Sequence, residues 1–169
     1  MSSSRTIFIA VLGAILLVGC DFEPAHKQGA ESEKVSSIAV LSHKTTIAVR
    51  GEREGFILEH MLRENLGSTA ADPLYTLTVD LNVSTREGPL VGRDVNRYIR
   101  VGTASIILEE SGTGRLMLTD SISATATWDQ TRWAAVNQAS FDDATARVLT
   151  ILADRIHHLL LAQATQIGV

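Results

Sequence analysis

The stretch from Leu74 to Val83, LYTLTVDLNV, alternates between apolar and polar side chains from Tyr75 onward. A period of two is typical of a β-strand that buries one face and exposes the other. The predicted buried positions are Tyr75, Leu77, Val79, Leu81 and Val83, and the polar ones are Thr76, Thr78, Asp80 and Asn82. This strand predicts a half-buried sheet, which needs a second layer to cover its apolar face.

Other segments predict further strands of the same sheet. Tyr98 to Glu109 predicts an antiparallel partner, with Gly102, Ala104, Ile106 and Leu108 on one side. Gly112-Thr113-Gly114 predicts a turn, after which Arg115 to Trp128 returns as a third strand whose apolar row is interrupted by Asp120. That interruption indicates a sheet edge, a bulge or a membrane-distal end. Upstream, Val35 to Arg50 predicts a first strand or a strand pair, with Ile38, Val40, Ile47 and Val49 inward.

Two segments have the helical period instead. Gly51 to Gly67 predicts a helix with the apolar stripe Ile57, Leu58, Met61, Leu62 and Leu66. A last helix of about twenty residues is predicted to begin at Ser140, because Ser140-Phe141-Asp142-Asp143 resembles a capping box. Its apolar positions are Phe141, Ala144, Val148, Leu152, Ile156 and Leu159. The order β-α-β-β-β-α predicts an α+β two-layer sandwich, a mostly antiparallel sheet with two helices on one face.

The amino terminus predicts an export signal. Ile7 to Val18 follows Arg5 without a charge, and twelve helical residues reach about 18 Å, short of a bilayer core of about 30 Å. Leu17-Val18-Gly19-Cys20 matches the bacterial lipobox, which implies cleavage before Cys20 and lipid on its thiol and new amino terminus. The alternatives are a plain signal peptide with an unrelated cysteine, or a buried free thiol. We expect a signal peptide at 1–19, a lipidated tether at 20–34 and one domain at 35–169.

Composition and motifs exclude several function classes. The chain has 169 residues, with 15 basic against 19 acidic side chains and a net charge of −4, which excludes a nucleic-acid binder that works by bulk charge. The single cysteine excludes an intramolecular disulfide. None of the GxSxG, HExxH, P-loop or GxGxxG motifs occurs, and His157-His158 are adjacent rather than spaced as helical metal ligands. We therefore expect no enzymatic activity, no cofactor and no metal.

One group of charges suggests a ligand. Four arginines lie within fifteen residues around the connection between two predicted strands: Arg86, Arg93, Arg97 and Arg100. Guanidinium groups bind phosphate and carboxylate through two parallel hydrogen bonds. Beside a lipid anchor, these arginines are candidates for binding the anionic headgroup of a glycolipid. The alternative is an ordinary solvated loop.

Several segments together resemble a known family. They are the lipobox cysteine, the run from Ile47-Ala48-Val49-Arg50 to Asn65-Leu66, Pro73-Leu74-Tyr75-Thr76-Leu77, the hairpin from Ile106-Ile107-Leu108 to Gly114, and Ala139-Ser140-Phe141-Asp142-Asp143-Ala144. In this organisation the chain resembles the lipopolysaccharide-assembly lipoprotein LptE family in its alphaproteobacterial form. The resemblance implies a lipid-anchored protein at the periplasmic face of the outer membrane. Such a protein plugs the LptD β-barrel, helps it assemble and binds lipopolysaccharide.

The resemblance also gives a candidate barrel contact. It comprises the polar row of the third predicted strand, with two tryptophans as anchors: Thr119, Ser121, Ser123, Thr125, Thr127, Trp128 and Trp133. The alternative is a solvated sheet face and two core tryptophans. Asp21 follows the lipidated cysteine, and in enteric bacteria this residue is a signal for retention in the inner membrane. Asp21 therefore leaves open a second function, that of an auxiliary lipoprotein of an ABC-type lipid transporter. A periplasmic hydrolase is a further alternative.

Overall fold

A computed structural model describes residues 43–67, 72–89 and 96–167. The predicted signal peptide, the tether, Cys20, Arg93 and the strand positions Ile38 and Val40 lie outside these residues. The elements are β1 (Thr45–Arg50), α1 (Arg53–Leu66), β2 (Tyr75–Glu87), β3 (Asn96–Glu110), β4 (Leu116–Gln130) and α2 (Ala134–Ile167). Their order confirms the predicted β-α-β-β-β-α arrangement.

The four strands form one sheet in the order β1-β2-β3-β4. β1 runs parallel to β2, because helix α1 connects them, whereas β2, β3 and β4 pair antiparallel. The mostly antiparallel sheet is therefore confirmed. β4 is an edge strand, which is one of the three alternatives that the interruption at Asp120 left open. Near the start of β4, Met117 stands opposite no residue of β3 because the register shifts there.

Both helices pack on the same face of this sheet, as predicted. Helix α1 buries Leu58, Leu62 and Leu66 of its expected stripe, while Ile57 and Met61 lie at the margin of the core. Helix α2 buries Ala144, Val148, Leu149, Leu152, Ile156 and Leu160. The strands supply Ile47, Leu77, Val79, Ala104, Ile106, Leu108, Ala124 and Ala126. These apolar side chains make one contiguous core between the two layers.

Gly102 lets helix α2 approach the sheet closely. It lies on the buried face of β3, and a Cβ atom at this position would stand 2.6 Å from Cγ1 of Val148 and 2.9 Å from Cδ1 of Leu152. Real Cβ atoms do not pack at such distances, because the carbon atoms would overlap. The glycine is therefore required by packing rather than by a turn.

The predicted start of the last helix is wrong. α2 begins at Ala134 rather than Ser140 and has 34 residues rather than about twenty. A local hydrogen-bond network holds its first turn, since both the backbone N–H and the hydroxyl of Thr131 donate to Oδ1 of Asn137. The first three residues are exposed and carry no apolar period, so the pattern did not reveal them. Asp143 lies in the helix interior and pairs with Arg147 four residues later.

Candidate functional site

The sheet face opposite the helices is the candidate functional site, and we call it the open face. It consists of the residues of β2, β3 and β4 that alternate with the buried ones, and no helix among the described residues packs on it. Strands of 13 to 15 residues give it a length of about 45 Å at about 3.3 Å per residue. The predicted row Thr119, Ser121, Ser123, Thr125 and Thr127 is exposed along its β4 side.

Strand register joins that row to polar side chains of the two neighbouring strands. The cross-strand rows are Asp80-Ser105-Ser121, Asn82-Thr103-Ser123 and Ser84-Val101-Thr125. Every side chain in these rows except Val101 is polar and exposed. In these rows the open face presents short hydroxyl, amide and carboxylate groups over three strands, and β3 adds the apolar side chains of Ile99, Val101 and Ile107 to the same face.

Short hydroxyls suit the open face to contact with another polar surface. Each hydroxyl can both donate and accept a hydrogen bond, and threonine and serine lose little rotamer freedom when they are buried. The four histidines of the described residues lie elsewhere: His43 precedes β1, His60 is on α1, and His157 and His158 are on α2. None of these four histidines belongs to β2, β3 or β4, the strands that form the open face.

An ion pair crosses the end of the open face where β3 begins and β4 ends. Arg97 donates from Nε and Nη2 to the two carboxylate oxygens of Asp129 at 2.8 and 3.1 Å. The side-chain hydrogen bond from Arg97 lowers the pKa of Asp129 below its ordinary value of 3.8, and the same bond raises the pKa of Arg97. Because the carboxyl pKa is lowered on folding, the pair stabilises the domain above pH 3.8. That contribution is lost as the pH falls through the lowered pKa.

The structure separates the four predicted arginines. Arg86 is exposed on the open face opposite Ile99, and Arg97 lies on the same face two residues before Ile99 in β3. Arg93 lies outside the described residues. Arg86 and Arg97 therefore lie at the same end of the open face, and their binding of lipopolysaccharide stays a prediction.

Arg100 has to be removed from this group. It lies inside β3 with the parity of Gly102 and Ala104, so its side chain points toward the helices. Its Nη2 donates to Oε1 of Glu54 at 2.7 Å, and its Nη1 donates to the hydroxyl of Thr85 at 2.9 Å. Its guanidinium also stands 4.6 Å over the ring centroid of Phe141. A guanidinium that is buried and paired in this way is not available to a ligand on the open face.

Of the two tryptophans, Trp128 does not lie on the predicted contact row. Trp128 has the parity of the buried positions of β4, where it stacks on Tyr98 at 4.9 Å and meets Phe141 edge to face at 6.1 Å. Its side chain thus belongs to the helix side of the sheet, as the core alternative held. Trp133 is 64% exposed, but it stands just before α2 and not in β4. Trp128 is therefore removed from the candidate contact, and a barrel contact by the five hydroxyl residues and Trp133 stays a prediction.

The described residues also bear on metal binding and on membrane spanning. Within residues 43–67, 72–89 and 96–167, no group of three or more His, Cys, Asp or Glu side chains could hold a metal ion. None of the helices in those ranges is both long enough and apolar enough to cross a bilayer.

No protein-family model and no curated protein matches the sequence. Solved structures do match the fold. A protein from Caulobacter crescentus CB15 assigned as a lipoprotein aligns with a TM-score of 0.63 at 18% identity, covering 78% of this chain and 98% of that one. Rare lipoprotein B from Shewanella oneidensis aligns with a TM-score of 0.55 at 13% identity, covering 74% and 98%. A minor lipoprotein from Acinetobacter baumannii gives 0.54 at 16%, covering 71% and 92%. The chain thus shares its fold with bacterial lipoproteins.

Proposed function

We propose that this chain is a lipid-anchored, non-enzymatic protein of the outer membrane that plugs an LptD-type β-barrel, helps it assemble and binds lipopolysaccharide. The observation that carries the proposal is the open face, a wide sheet surface of short polar side chains. The lumen of a large membrane barrel is polar, so a polar sheet face complements it. Cys20, in its lipobox, supplies the anchor.

The proposed binding of lipopolysaccharide rests on Arg86 and Arg97 at one end of the open face. Arg86 has no ion-pair partner among the described residues, and Arg97 is paired with a carboxylate that is partly exposed. Phosphate groups of a glycolipid could engage Arg86 directly and compete with Asp129 for Arg97. Both arginines would then bind the ligand on the same face that meets the barrel.

A second candidate is an auxiliary lipoprotein of an ABC-type lipid transporter, which Asp21 favours because it follows the lipidated cysteine. Purification of the full chain from detergent-solubilised membranes separates the two. Recovery of a large heat-modifiable barrel protein supports the plug role. Recovery of an ATPase with its permease would instead assign the chain to the transporter.

Thr103→Arg is expected to lower the affinity of the chain for the barrel about tenfold, the equivalent of about 1.4 kcal/mol, and so to reduce the amount of barrel recovered with it. Thr103 lies at the middle of the open face between Asn82 and Ser123, so a long cation there would separate the two surfaces. Thr150→Arg makes the same change on the exposed side of α2 and should leave recovery unchanged. Equal recovery with both variants would show that the open face is not the contact, provided that both melt at the parent temperature.

Joint replacement of Arg86 and Arg97 by alanine is expected to weaken lipopolysaccharide binding at least tenfold, because a single hydrogen bond to a charged group contributes about 1.5–3 kcal/mol and tenfold corresponds to about 1.4 kcal/mol. The measurement is binding of purified lipopolysaccharide to the full chain in detergent, repeated with dephosphorylated lipid. Arg115→Ala is the matched control, since Arg115 is exposed at the β3–β4 turn and pairs with Glu110. Unchanged affinity in the double variant would return both arginines to an ordinary solvated surface.

A further inference from the structure

Strand β2 is longer than the strand that pairs with its outer side. β1 pairs only with Tyr75–Asp80, whereas β2 continues to Glu87 and remains paired with β3 to its end. The seven residues from Leu81 to Glu87 therefore form a sheet edge, which we call the β2 edge. Among the described residues, no backbone pairs with it.

The direction of the backbone groups on the β2 edge follows from its two ends. The N–H of Tyr75 donates to the carbonyl of Lys44, which precedes β1, whereas the N–H of Gly88 donates to Arg97 of β3. Since alternate residues of a strand direct their N–H and C=O groups to opposite sides, the odd-numbered residues face the β1 side. Val83, Thr85 and Glu87 thus direct their N–H and C=O groups to this edge, where no backbone within the described ranges pairs with them.

The other edges of the sheet are blocked by side chains from the helices. On β4, the carbonyls of Thr127, Ser123 and Met117 accept hydrogen bonds from Arg147, Arg155 and Gln163 of α2. On β1, the carbonyl of Ile47 accepts one from Arg63 of α1. Proteins block exposed edges because such edges pair with other chains. No side chain of the described residues donates a hydrogen bond to the carbonyls of Val83, Thr85 or Glu87 on the β2 edge.

A polar recess of about 390 Å³ lies beside the β2 edge. Its lining includes Leu81 and Val83 of the edge, Glu52 and Glu54 at the start of α1, and Arg100. Glu54 is neutralised by Arg100, whereas Glu52 has no ion-pair partner among the described residues. The recess therefore carries a net negative charge and favours a cationic side chain.

We propose that the β2 edge binds an extended segment of a partner protein, which adds as a strand beside Leu81–Glu87 and places a lysine or arginine in the recess. Main-chain hydrogen bonds to Val83, Thr85 and Glu87 would supply the affinity, and the recess would supply the specificity. The β2 edge would bind such a segment whether or not the partner is a barrel, so the proposal goes beyond the function proposed above.

Selection from a library of random seven-residue peptides tests this proposal. The target is the purified full chain in detergent, with counter-selection on Thr85→Pro, which removes one edge N–H while proline remains tolerated at a free edge. The selected peptides should be enriched in lysine or arginine and bind Thr85→Pro at least tenfold more weakly. Thr85→Val is the matched control, since it loses the hydroxyl that faces Arg100 but keeps the N–H, and binding should stay within twofold.

A second measurement uses the parent chain alone and does not depend on how Thr85→Pro folds. Peptides N-methylated at alternate residues should bind at least tenfold more weakly, and bound unmodified peptide should slow amide exchange at Val83, Thr85 and Glu87. The proposal is overturned if no peptide is enriched, or if N-methylation and Thr85→Pro leave binding unchanged. It is also overturned if these amides are already protected in the free chain, because the chain itself or a second copy would then occupy the edge.

Discussion

Replacing Glu54 with alanine is expected to lower the free energy of unfolding by about 3 kcal/mol, because it leaves a buried guanidinium without its anion. The side chain of Arg100 is 9% exposed, and Glu54 is its single ion-pair partner among the described residues. An arginine side chain cannot lose its charge in a protein, so the folded state must hold an uncompensated cation. The cost lies at the low end for a buried pair, since the side chain of Glu54 is 22% exposed and water can reach the vacated position.

Thermal and denaturant unfolding of the full chain measure this loss, with Glu64→Ala as the control. Glu64 is on the same helix and pairs with His60 at the surface, where such pairs contribute about 0.5 kcal/mol or less. Joint replacement of Glu54 by leucine and Arg100 by methionine should recover much of the stability, because apolar side chains remove the desolvation cost of both charges. If Glu54→Ala loses no more than Glu64→Ala, Arg100 is hydrated and the pair is not structural.

The position of Arg100 could have been predicted from the alternation along β3. Gly102, Ala104, Ile106 and Leu108 were predicted inward, and Arg100 has the same parity. Its proximity in sequence to Arg86 and Arg97 suggested a common loop instead. In a strand of 15 residues, parity decides which face a side chain occupies, and proximity in sequence does not.

The strand period of two residues and the helix period of 3.6 residues were sufficient to predict the two layers, because each element buries a regular apolar row. Leu58 and Leu62 of α1 and Leu77 and Val79 of β2 are fully buried where the pattern placed them. The first turn of α2 could not be found in this way. It is exposed and depends on a contact between Thr131 and Asn137, which carries no apolar period.

The edges of the sheet could not be predicted from the sequence, for a different reason. Which strand lies at an edge depends on the pairing order, and which carbonyls are blocked depends on long side chains reaching from another element. Arg155 and Gln163 read along the sequence as ordinary polar positions of a helix, yet they donate to Ser123 and Met117 of β4. The same limit applies to the β2 edge, which exists only because β1 stops at Arg50.

Gly102→Val is expected to lower the free energy of unfolding by about 2–3 kcal/mol, although strand propensity alone predicts the opposite sign. Valine is favoured over glycine in a strand by up to about 1 kcal/mol. Its Cβ would, however, lie 2.6 Å from Cγ1 of Val148 and 2.9 Å from Cδ1 of Leu152, and both of those side chains are fully buried. Overpacking of this kind typically costs about 1–3 kcal/mol, and the two further methyl groups of valine add to it. Packing therefore decides the sign.

Unfolding of Gly102→Val is compared with that of Gly112→Val, whose Cβ would meet no atom within 4 Å in the β3–β4 turn. The control should change stability by about 0.5 kcal/mol or less, as surface substitutions usually do. Val148→Ala removes the atom in closest conflict. The double variant Gly102→Val/Val148→Ala should therefore lose about 1 kcal/mol less stability than the sum of the two single losses. A stabilised Gly102→Val would mean that α2 can move away from β3 at little cost. The close approach of the two layers at Gly102 would then not be what fixes the position of the helix.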